Sequence, residues 1–351
     1  MRRIIGTALV SVLALALGAS PATAEGGGDP LLAKQWHHEK LQTGAAWGVT
    51  QGSGALVAVV DTGVDLTHLD LQANLVAYPD ADFVDRKGTD GPQDLDGHGT
   101  HVAGIVAALA GNGIGGAGIA PGAKILPVRV LDENGEGSAD QIAAGIRYAT
   151  DKGADVINLS LNMPAGRDRA AALIGELATI EAEIAHAWSK GALVVASAGN
   201  DSYPLCVEPS AIVHVVCVGA LNRSDARSYY SNGDATLTET YLVAPGGWGL
   251  GSFSLGPQSP TAVTCQGEIV STYLRTAESW CEQAGYEGMS GTSMASPMVA
   301  GVAALLASKG LDNASIVDCL VRTTDDLGVP GRDAIYGYGR VNAARAVAGC
   351  N

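Results

Sequence analysis

The most informative motif of the chain is Gly291-Thr292-Ser293-Met294-Ala295-Ser296-Pro297, which leads into an apolar segment rich in Ala, Gly and Leu. This composition predicts a helix, and Pro297 is close enough to its start to be tolerated. The amides and dipole of a helix N-terminus favour negative charge beside them. Ser293 in the first turn therefore suits a reaction that forms an anion, although Ser and Thr are also common as plain helix caps.

Two earlier motifs supply the side chains that would activate a serine hydroxyl. Residues 57–60 form an apolar run that ends in Asp61-Thr62-Gly63, and Asp96-Gly97-His98-Gly99-Thr100 opens a second apolar helix. A serine hydroxyl is a poor nucleophile until a base takes its proton. His98 is the candidate base, and Asp61 would orient its ring and stabilise the imidazolium that forms. Alone, Asp-Thr-Gly would be read equally well as a turn.

Metal binding is the alternative function for this histidine, because His98 and His101 form an H-x-x-H pair. Zincins use H-E-x-x-H, in which the histidines are four residues apart on one face of a helix. Here the histidines are three residues apart and the glutamate is absent. We therefore interpret His101 as a packed helix residue rather than as a metal ligand.

Continuous apolar runs alternate with helical patterns along the chain. The runs are residues 55–60, 123–130, 154–161, 192–197 and 213–219, and the helical patterns are 100–109, 139–152 and 167–190. Such runs are typical of buried parallel strands, and the alternation predicts a doubly wound α/β sheet. Ligands bind at the carboxyl ends of such strands, where Asp61, Ser160 and Asn200 lie. We therefore expect these residues to converge on one rim of the sheet.

The order Asp, His, Ser resembles that of the subtilisin-like serine proteases, the subtilases. The resemblance extends from about Asp29 to Val347 and includes Ala196-Ser197-Ala198-Gly199-Asn200. It implies a three-layer, mostly parallel α/β fold and a serine endopeptidase that works through an acyl-enzyme without a catalytic cofactor. It also implies a triad of Asp61, His98 and Ser293, with the Asn200 amide donating to the oxyanion. A lipase or esterase is less consistent, because Gly-x-Ser-x-Gly is absent at Ser293.

The resemblance implies a polypeptide substrate, bound as an added strand along two segments of the chain. The matching segments are Gly135-Glu136-Gly137 and Ser160-Leu161-Asn162. Asn162 departs from the common Ser-Leu-Gly, so a side chain lies where the mouth of the specificity pocket is expected. We also expect acidic residues near these segments to favour basic substrate positions; they are Asp94, Asp96, Asp132, Glu133 and Glu136.

A structural calcium site is the metal site that the resemblance implies. The matching ligands come from the N-terminal segment and the loop 109–116, and they are Asp29, Asp70, Leu109, Asn112, Ile114 and Gly116. Carboxylate, amide and carbonyl oxygens suit the six to eight ligands that calcium prefers. The loop 109–118 carries one residue more than the subtilisin pattern, so the alignment of these ligands stays open.

Residues 1–24 are interpreted as a secretory signal peptide. Arg2 and Arg3 precede an apolar stretch at 4–17, and Ala22-Thr23-Ala24 is a small-residue cleavage site. The stretch is shorter than the roughly 20 residues that a membrane span needs, so we expect a secreted protein. Residues 25–351 would then form the catalytic domain. The formal net charge of −15 argues against nucleic acid or anionic membranes as partners.

No propeptide is evident, because Asp29 already belongs to the stretch that resembles the catalytic domain. Subtilases usually carry a propeptide that assists folding and inhibits the enzyme. We therefore expect that the chain folds unaided or uses a separate folding partner or inhibitor. The rival hypothesis is a binding or maturation factor with this fold and little general proteolysis, and a processing protease of narrow specificity lies between the two.

Six cysteines in an exported chain predict three disulfides. Six cysteines allow fifteen pairings, and the sequence does not choose among them. We expect near neighbours to pair, which gives Cys206–Cys217, Cys265–Cys281 and Cys319–Cys350. A metal site is less consistent, because no Cys-x-x-Cys pair occurs. The segment 246–288, which contains the second pair, would form either a stapled flap or a plain surface excursion.

Overall fold

The computed structural model of the chain describes residues 28–84, 91–162, 170–237, 239–248, 267–277, 279 and 283–351. The predicted signal peptide and the predicted Cys265–Cys281 disulfide lie outside the described residues. Among the described residues, no helix is both long enough and apolar enough to span a bilayer.

A six-stranded sheet forms the centre of the molecule, and every neighbouring pair of its strands is parallel. In chain order the strands are β1 (Leu56–Asp61), β2 (Lys124–Arg129), β3 (Val156–Leu159), β4 (Leu193–Ser197), β5 (Val215–Leu221) and β6 (Thr240–Pro245). Their order across the sheet is β2-β1-β3-β4-β5-β6. The first five strands confirm the predicted runs to within two residues at each end, whereas β6 was not predicted.

Helices cover both faces of this sheet and complete three layers. They are α1 (His37–Leu41), α2 (Thr43–Trp47), α3 (His98–Ala107), α4 (Ala139–Asp151), α5 (Ala170–Ser189), α6 (Thr292–Ala307), α7 (Asn313–Arg322) and α8 (Ala343–Gly349). Helices α3 and α6 pack on one face, where their apolar side chains join the larger core cluster. Helices α4 and α5 pack on the other face. The predicted doubly wound α/β architecture is confirmed.

An antiparallel hairpin, β7 (Ile269–Thr272) and β8 (Tyr286–Met289), packs against α3. The hydroxyl of Ser271 donates to the carbonyl of His101 at 2.8 Å, and that of Thr272 donates to the carbonyl of Thr100 at 2.7 Å. This hairpin is part of the segment 246–288, for which the sequence predicted only a flap or a surface excursion. Ordered structure from that segment therefore lies directly on the helix that begins at His98.

Two of the three predicted disulfides lie within the described residues, and both form in the predicted pairing. Cys206 is joined to Cys217 in β5, which fastens the loop that precedes β5 to that strand. Cys319 in α7 is joined to Cys350, the residue that follows α8. The second bond fastens the end of the chain to the body of the domain.

Candidate active site

The end of β1 and the start of α3 bring an acid and an imidazole together. The carboxylate oxygen Oδ1 of Asp61 accepts a hydrogen bond from His98 Nδ1 at 2.8 Å. Asp61 is fully buried, whereas His98 is partly exposed. Glycine is required at position 99, because a Cβ there would collide with the carbonyl oxygen of Gly63. The close approach of α3 to β1 therefore places the ring of His98 against Asp61, as the sequence predicted.

The surroundings of His98 favour its protonated form. Burial alone would lower its pKa, but the charge and hydrogen bond of Asp61 and the charges of Asp96 and Asp94 outweigh this effect. The net result raises the pKa of His98 to about 9. An imidazolium that forms here is thus stabilised by the protein, which is what a base needs when it accepts a proton.

Ser293 lies in the first turn of α6, partly exposed, as the motif predicted. Its hydroxyl donates to the carbonyl of Ser160 at 3.3 Å, and its carbonyl accepts from the hydroxyl of Ser160 at 2.8 Å. Among the described residues, His98 makes no hydrogen bond with Ser293 in this structure. The structure therefore places Ser293 at the end of β3, with its hydroxyl turned toward the backbone of Ser160.

A buried polar network beneath Ser293 was not predicted. The side-chain amide of Asn158 donates to the Ser160 hydroxyl at 2.9 Å, and the hydroxyl of Ser296 donates to Asn158 Oδ1 at 2.7 Å. These bonds fix the start of α6 against the end of β3. The signal that could have found the network is an asparagine inside the otherwise apolar run Val156–Leu159.

Asn200 follows β4 and faces the same helix start. Its oxygen Oδ1 accepts from both the backbone amide and the hydroxyl of Thr292, each at 2.9 Å. The Thr292 hydroxyl in turn accepts from the amide of Gly199 at 3.2 Å. Since its oxygen is held in this way, the Asn200 nitrogen is left to donate elsewhere, and it has no acceptor among the described residues. Thr292, which orients this amide, was not singled out from the sequence.

A cleft of about 490 Å³ runs past His98 and contains both predicted substrate segments. Its lining residues are Thr62, Asp96, His98, Leu131, Gly135, Glu136, Gly137, Ile142, Ser160, Leu161 and Asn162. Two of the five acidic residues expected near the substrate line it. Asp94 does not line the cleft, because it is buried and hydrogen-bonded within the protein. In the side-chain orientation that satisfies its hydrogen bonds, the amide nitrogen of Asn162 donates to the carbonyls of Leu161 at 3.0 Å and Ser197 at 3.1 Å.

Comparison with known proteins identifies the family. The profile of the Subtilase family matches residues 52–339. The chain belongs to the subtilase family. It is 40% identical over 315 residues to the thermophilic serine proteinase of Bacillus sp. (strain AK1), and the match covers 89% of this chain and 67% of that protein. It is 38% identical over 314 residues to thermitase of Thermoactinomyces vulgaris, and the match covers 90% of this chain and 96% of thermitase.

Solved structures agree with this assignment. A structure described as proteases from Pseudoalteromonas arctica PAMC 21717 superimposes with a TM-score of 0.74 and 33% identity, over 92% of this chain and 99% of the other. A lanthipeptide protease superimposes with a TM-score of 0.76 and 28% identity, over 92% of this chain and 98% of the other. This subtilase is therefore a serine-type endopeptidase, and its family needs no cofactor for catalysis.

The residues predicted to bind calcium in this subtilase come together at one loop. Asp29 accepts from the amides of Gly111 at 2.7 Å and Gly113 at 3.0 Å, and Asp70 accepts from the Asn112 side chain at 2.6 Å. Leu109 donates its amide to the carbonyl of Asp70, Ile114 donates its amide to Asn112 Oδ1, and Gly116 donates its amide to the Asp70 carboxylate.

The electrostatics of this loop fit a cation. Burial, and then the nearby charge of Asp29, raise the pKa of Asp70 to about 6, although hydrogen bonds from Asn112 and Tyr286 oppose the shift. Two carboxylates held close together in a buried place repel each other, and a divalent cation would relieve that repulsion. Among the described residues, His, Cys, Asp and Glu side chains alone form no group of three that could hold a metal, so carbonyl and amide oxygens would be needed.

Proposed function

We propose that this subtilase is a secreted endopeptidase that cleaves peptide bonds through an acyl-enzyme, with Asp61, His98 and Ser293 as its catalytic triad. The observation that supports this most strongly is the 2.8 Å hydrogen bond between Asp61 and His98 at the edge of the cleft. Ser293 begins the helix that meets Ser160 in the wall of the same cleft. The family membership makes this the expected use of the three side chains.

The reaction follows from the chemistry of these groups. Nε2 of His98 takes the hydroxyl proton as Ser293 Oγ bonds to the substrate carbonyl carbon, and Asp61 stabilises the imidazolium. The side-chain amide of Asn200 and the backbone amide of Ser293 donate to the oxyanion that forms; the neighbouring amides of Thr292, Met294 and Ala295 already donate within the protein. The C–N bond then breaks as His98 returns its proton to the leaving amine. Water then attacks the acyl-enzyme ester while His98 takes its proton. The ester bond breaks as His98 returns that proton to Ser293 Oγ, which releases the carboxylic acid product and restores Ser293.

The substrate would be an extended polypeptide that pairs with the cleft's two predicted edges, 135–137 and 160–162. The carboxylates of Asp96 and Glu136 line this cleft, so we propose that it favours a lysine or arginine side chain beside them. Cleavage profiling with a peptide library tests this preference. A wild-type profile that is indifferent to Lys and Arg would end the idea.

The test of the proposed function is the variant Ser293→Ala. In subtilisin the corresponding loss costs on the order of 10⁶-fold in turnover, and we expect a similar loss of casein hydrolysis here. Ser308→Ala is the matched control, because Ser308 follows the far end of the same helix, and it should keep its activity. If purified wild-type protein leaves casein intact, the rival hypothesis of a binding or maturation factor is favoured.

We infer further that this loop binds a structural calcium ion. The side chains of Asp29, Asp70 and Asn112 would hold it, together with the carbonyls of Leu109, Ile114 and Gly116. The ion would stabilise the charged form of Asp70, whose pKa is raised first by burial and then by the charge of Asp29. Calcium added to chelated protein should raise the thermal midpoint, and the variant Asp70→Asn should abolish that rise. A midpoint that does not respond to chelator would contradict the site.

Secretion is the last part of the proposal, and it rests on the signal-like composition of residues 1–24. N-terminal sequencing of protein recovered from the culture medium should begin at Glu25. Retention of intact protein inside the cells would contradict it.

A further inference from the structure

A buried carboxylate outside the proposed triad organises the approach to His98. Asp94 is 1% exposed, and it lies in the turn that precedes α3. Oδ1 accepts from the hydroxyl of Thr62 at 2.9 Å and from the amides of Asp96 at 3.0 Å and Gly97 at 2.9 Å. Oδ2 accepts from the amide of Thr100 at 2.9 Å and from its hydroxyl at 2.6 Å. One side chain thus binds the end of β1, the turn and the first turn of α3.

We propose that Asp94 is a positioning residue for His98: its carboxylate holds the turn 94–97 and the start of α3 so that the imidazole meets Asp61. This inference rests on the proposed function of His98 as the base. In the described structure, Asp94 does not line the substrate cleft and makes no hydrogen bond with the imidazole. It therefore acts on His98 through the backbone segment that it holds in place.

The start of α3 explains why such a residue is needed. The first amides of a helix have no partner within the helix. The residue at the N-cap is Gly97, which has no side chain to offer, and its φ of +111° is a conformation that favours glycine. The missing acceptors come from other side chains, since Asp94 binds the Thr100 amide and Thr62 Oγ1 accepts from the Gly99 amide at 2.9 Å. The direction of the helix at His98 therefore depends on Asp94, together with Asp96, whose Oδ1 accepts from the His98 amide at 2.9 Å.

The charge of Asp94 also acts on His98, because it raises the pKa of the imidazole. The titratable groups that face His98 are Asp61 at the end of β1, Asp96 and Asp94 in the turn, and His101 within α3. Tyr273, from the end of β7, donates to the carbonyl of Asp96 at 3.0 Å and completes the surroundings. After burial, which lowers the pKa of His98, the three carboxylates raise it, and Asp94 is the weakest of them.

The first experiment is the isosteric variant Asp94→Asn, which keeps the shape of the side chain and removes its charge. We expect kcat to fall about 10–100-fold with little change in KM, the scale of a misplaced catalytic group. The His98 pKa, measured by NMR titration of its imidazole, should fall below that of the wild type. Asp333→Asn is the matched control, because Asp333 accepts from three backbone amides in a turn remote from His98. It should lose stability without moving kcat or the pKa of His98.

A second pair of variants tests the same inference if Asp94→Asn does not fold. Thr100→Val removes the buried hydroxyl that donates to Asp94 Oδ2 at 2.6 Å, whereas Thr100→Ser keeps it, and Thr100 does not line the cleft. The valine variant should show a smaller loss of kcat in the same direction, and the serine variant should retain activity. Equal activity in the two variants would overturn the inference.

The titration separates this inference from the proposed function, because it needs no turnover. A wild type without peptidase activity would remove the proposed function, whereas the His98 titration and its Nδ1 proton resonance would still report the position of the ring. If the Asp94→Asn variant keeps the wild-type values of the His98 pKa, of the His98 Nδ1 proton resonance and of kcat, the inference is wrong. This holds even when Ser293 is the nucleophile.

Discussion

The protonation state of His98 should set the pH range in which this subtilase is active. As the proposed base it must be neutral, and its carboxylate neighbours raise its pKa to about 9. We therefore expect kcat/KM on a peptide substrate to rise with pH, to reach half of its plateau near pH 9 and to level off above that pH. Asp61→Asn should move this acid limb to lower pH and cost about 10⁴-fold in turnover, as in other enzymes with this triad. An acid limb that is unchanged in Asp61→Asn would contradict the assignment.

Asn200 is the residue whose side chain would bind the developing oxyanion. Asn200→Leu removes the donor with little change in size, and removal of this donor in a subtilisin costs on the order of 10²–10³-fold in turnover. Thr292→Val should cost less, because it removes only one of the two bonds that hold the Asn200 oxygen. Single-turnover kinetics on an ester and a peptide substrate would measure both losses. A normal rate in Asn200→Leu would exclude this role.

The sequence motifs predicted which residues carry reactive groups. Hydrogen bonds between segments that are distant in the sequence determine how those groups are positioned. The contact of Asp61 with His98 was predicted, while their catalytic roles stay a prediction. The positioning roles of Thr62 and Thr292 were not predicted because each acts on a partner outside its own motif, and Asp94 was predicted only as an acidic residue near the substrate. No local pattern encodes such pairs, since they exist only after the strands and helices have packed.

Among the secondary-structure elements, the parallel strands could be predicted from the sequence because both faces of the sheet are buried. Strands β1 to β5 are continuous apolar runs because helices cover them from both sides. In strand β6 the apolar run is limited to residues 241–244, between Thr240 and Pro245, so it did not distinguish the strand from a buried loop. Hairpin β7–β8 contains Glu287 and Gly288, and its strand conformation comes from mutual pairing and from packing on α3.

The disulfide that closes on α8 should stabilise the fold without affecting the cleft. Cys319 and Cys350 are 31 residues apart, and a loop of that length corresponds to about 4 kcal/mol of unfolding free energy in the chain-entropy model. Replacement of both cysteines by alanine should lower the free energy of unfolding by this amount in urea titrations. Activity under native conditions should be unchanged, because neither residue lines the cleft. An unaltered urea midpoint would contradict the prediction.

At the scale of the whole molecule, buried histidines should make this subtilase sensitive to acid. His37, His38 and His101 are buried where the N-terminal segment meets α3 and the β7–β8 hairpin. Burial lowers the pKa of His38 to about 4 and that of His101 to about 3, and it also lowers that of His37. The unfolded chain therefore binds more protons than the folded one as the pH falls below about 6.5.

Stability measured in urea should accordingly be lost as the pH falls from about 6.5 toward 4. Both ring nitrogens of His37 lack a hydrogen-bond partner among the described residues, so His37→Phe removes a titrating group without breaking a bond. This variant should reduce the slope of stability against pH by about 1.4 kcal/mol per unit, the contribution of one proton. A slope that matches the wild type would show that His37 is not held neutral.

Covalent labelling should show whether Ser293 is the nucleophile of this subtilase. Wild-type protein treated with a serine-directed phosphonylating reagent should gain one adduct, and mass spectrometry should locate that adduct on the peptide that contains Ser293. Asp61→Asn should react far more slowly, because its His98 would no longer be oriented to take the proton. A peptidase that stays active with Ser293 unmodified, or an adduct on another residue, would contradict the account.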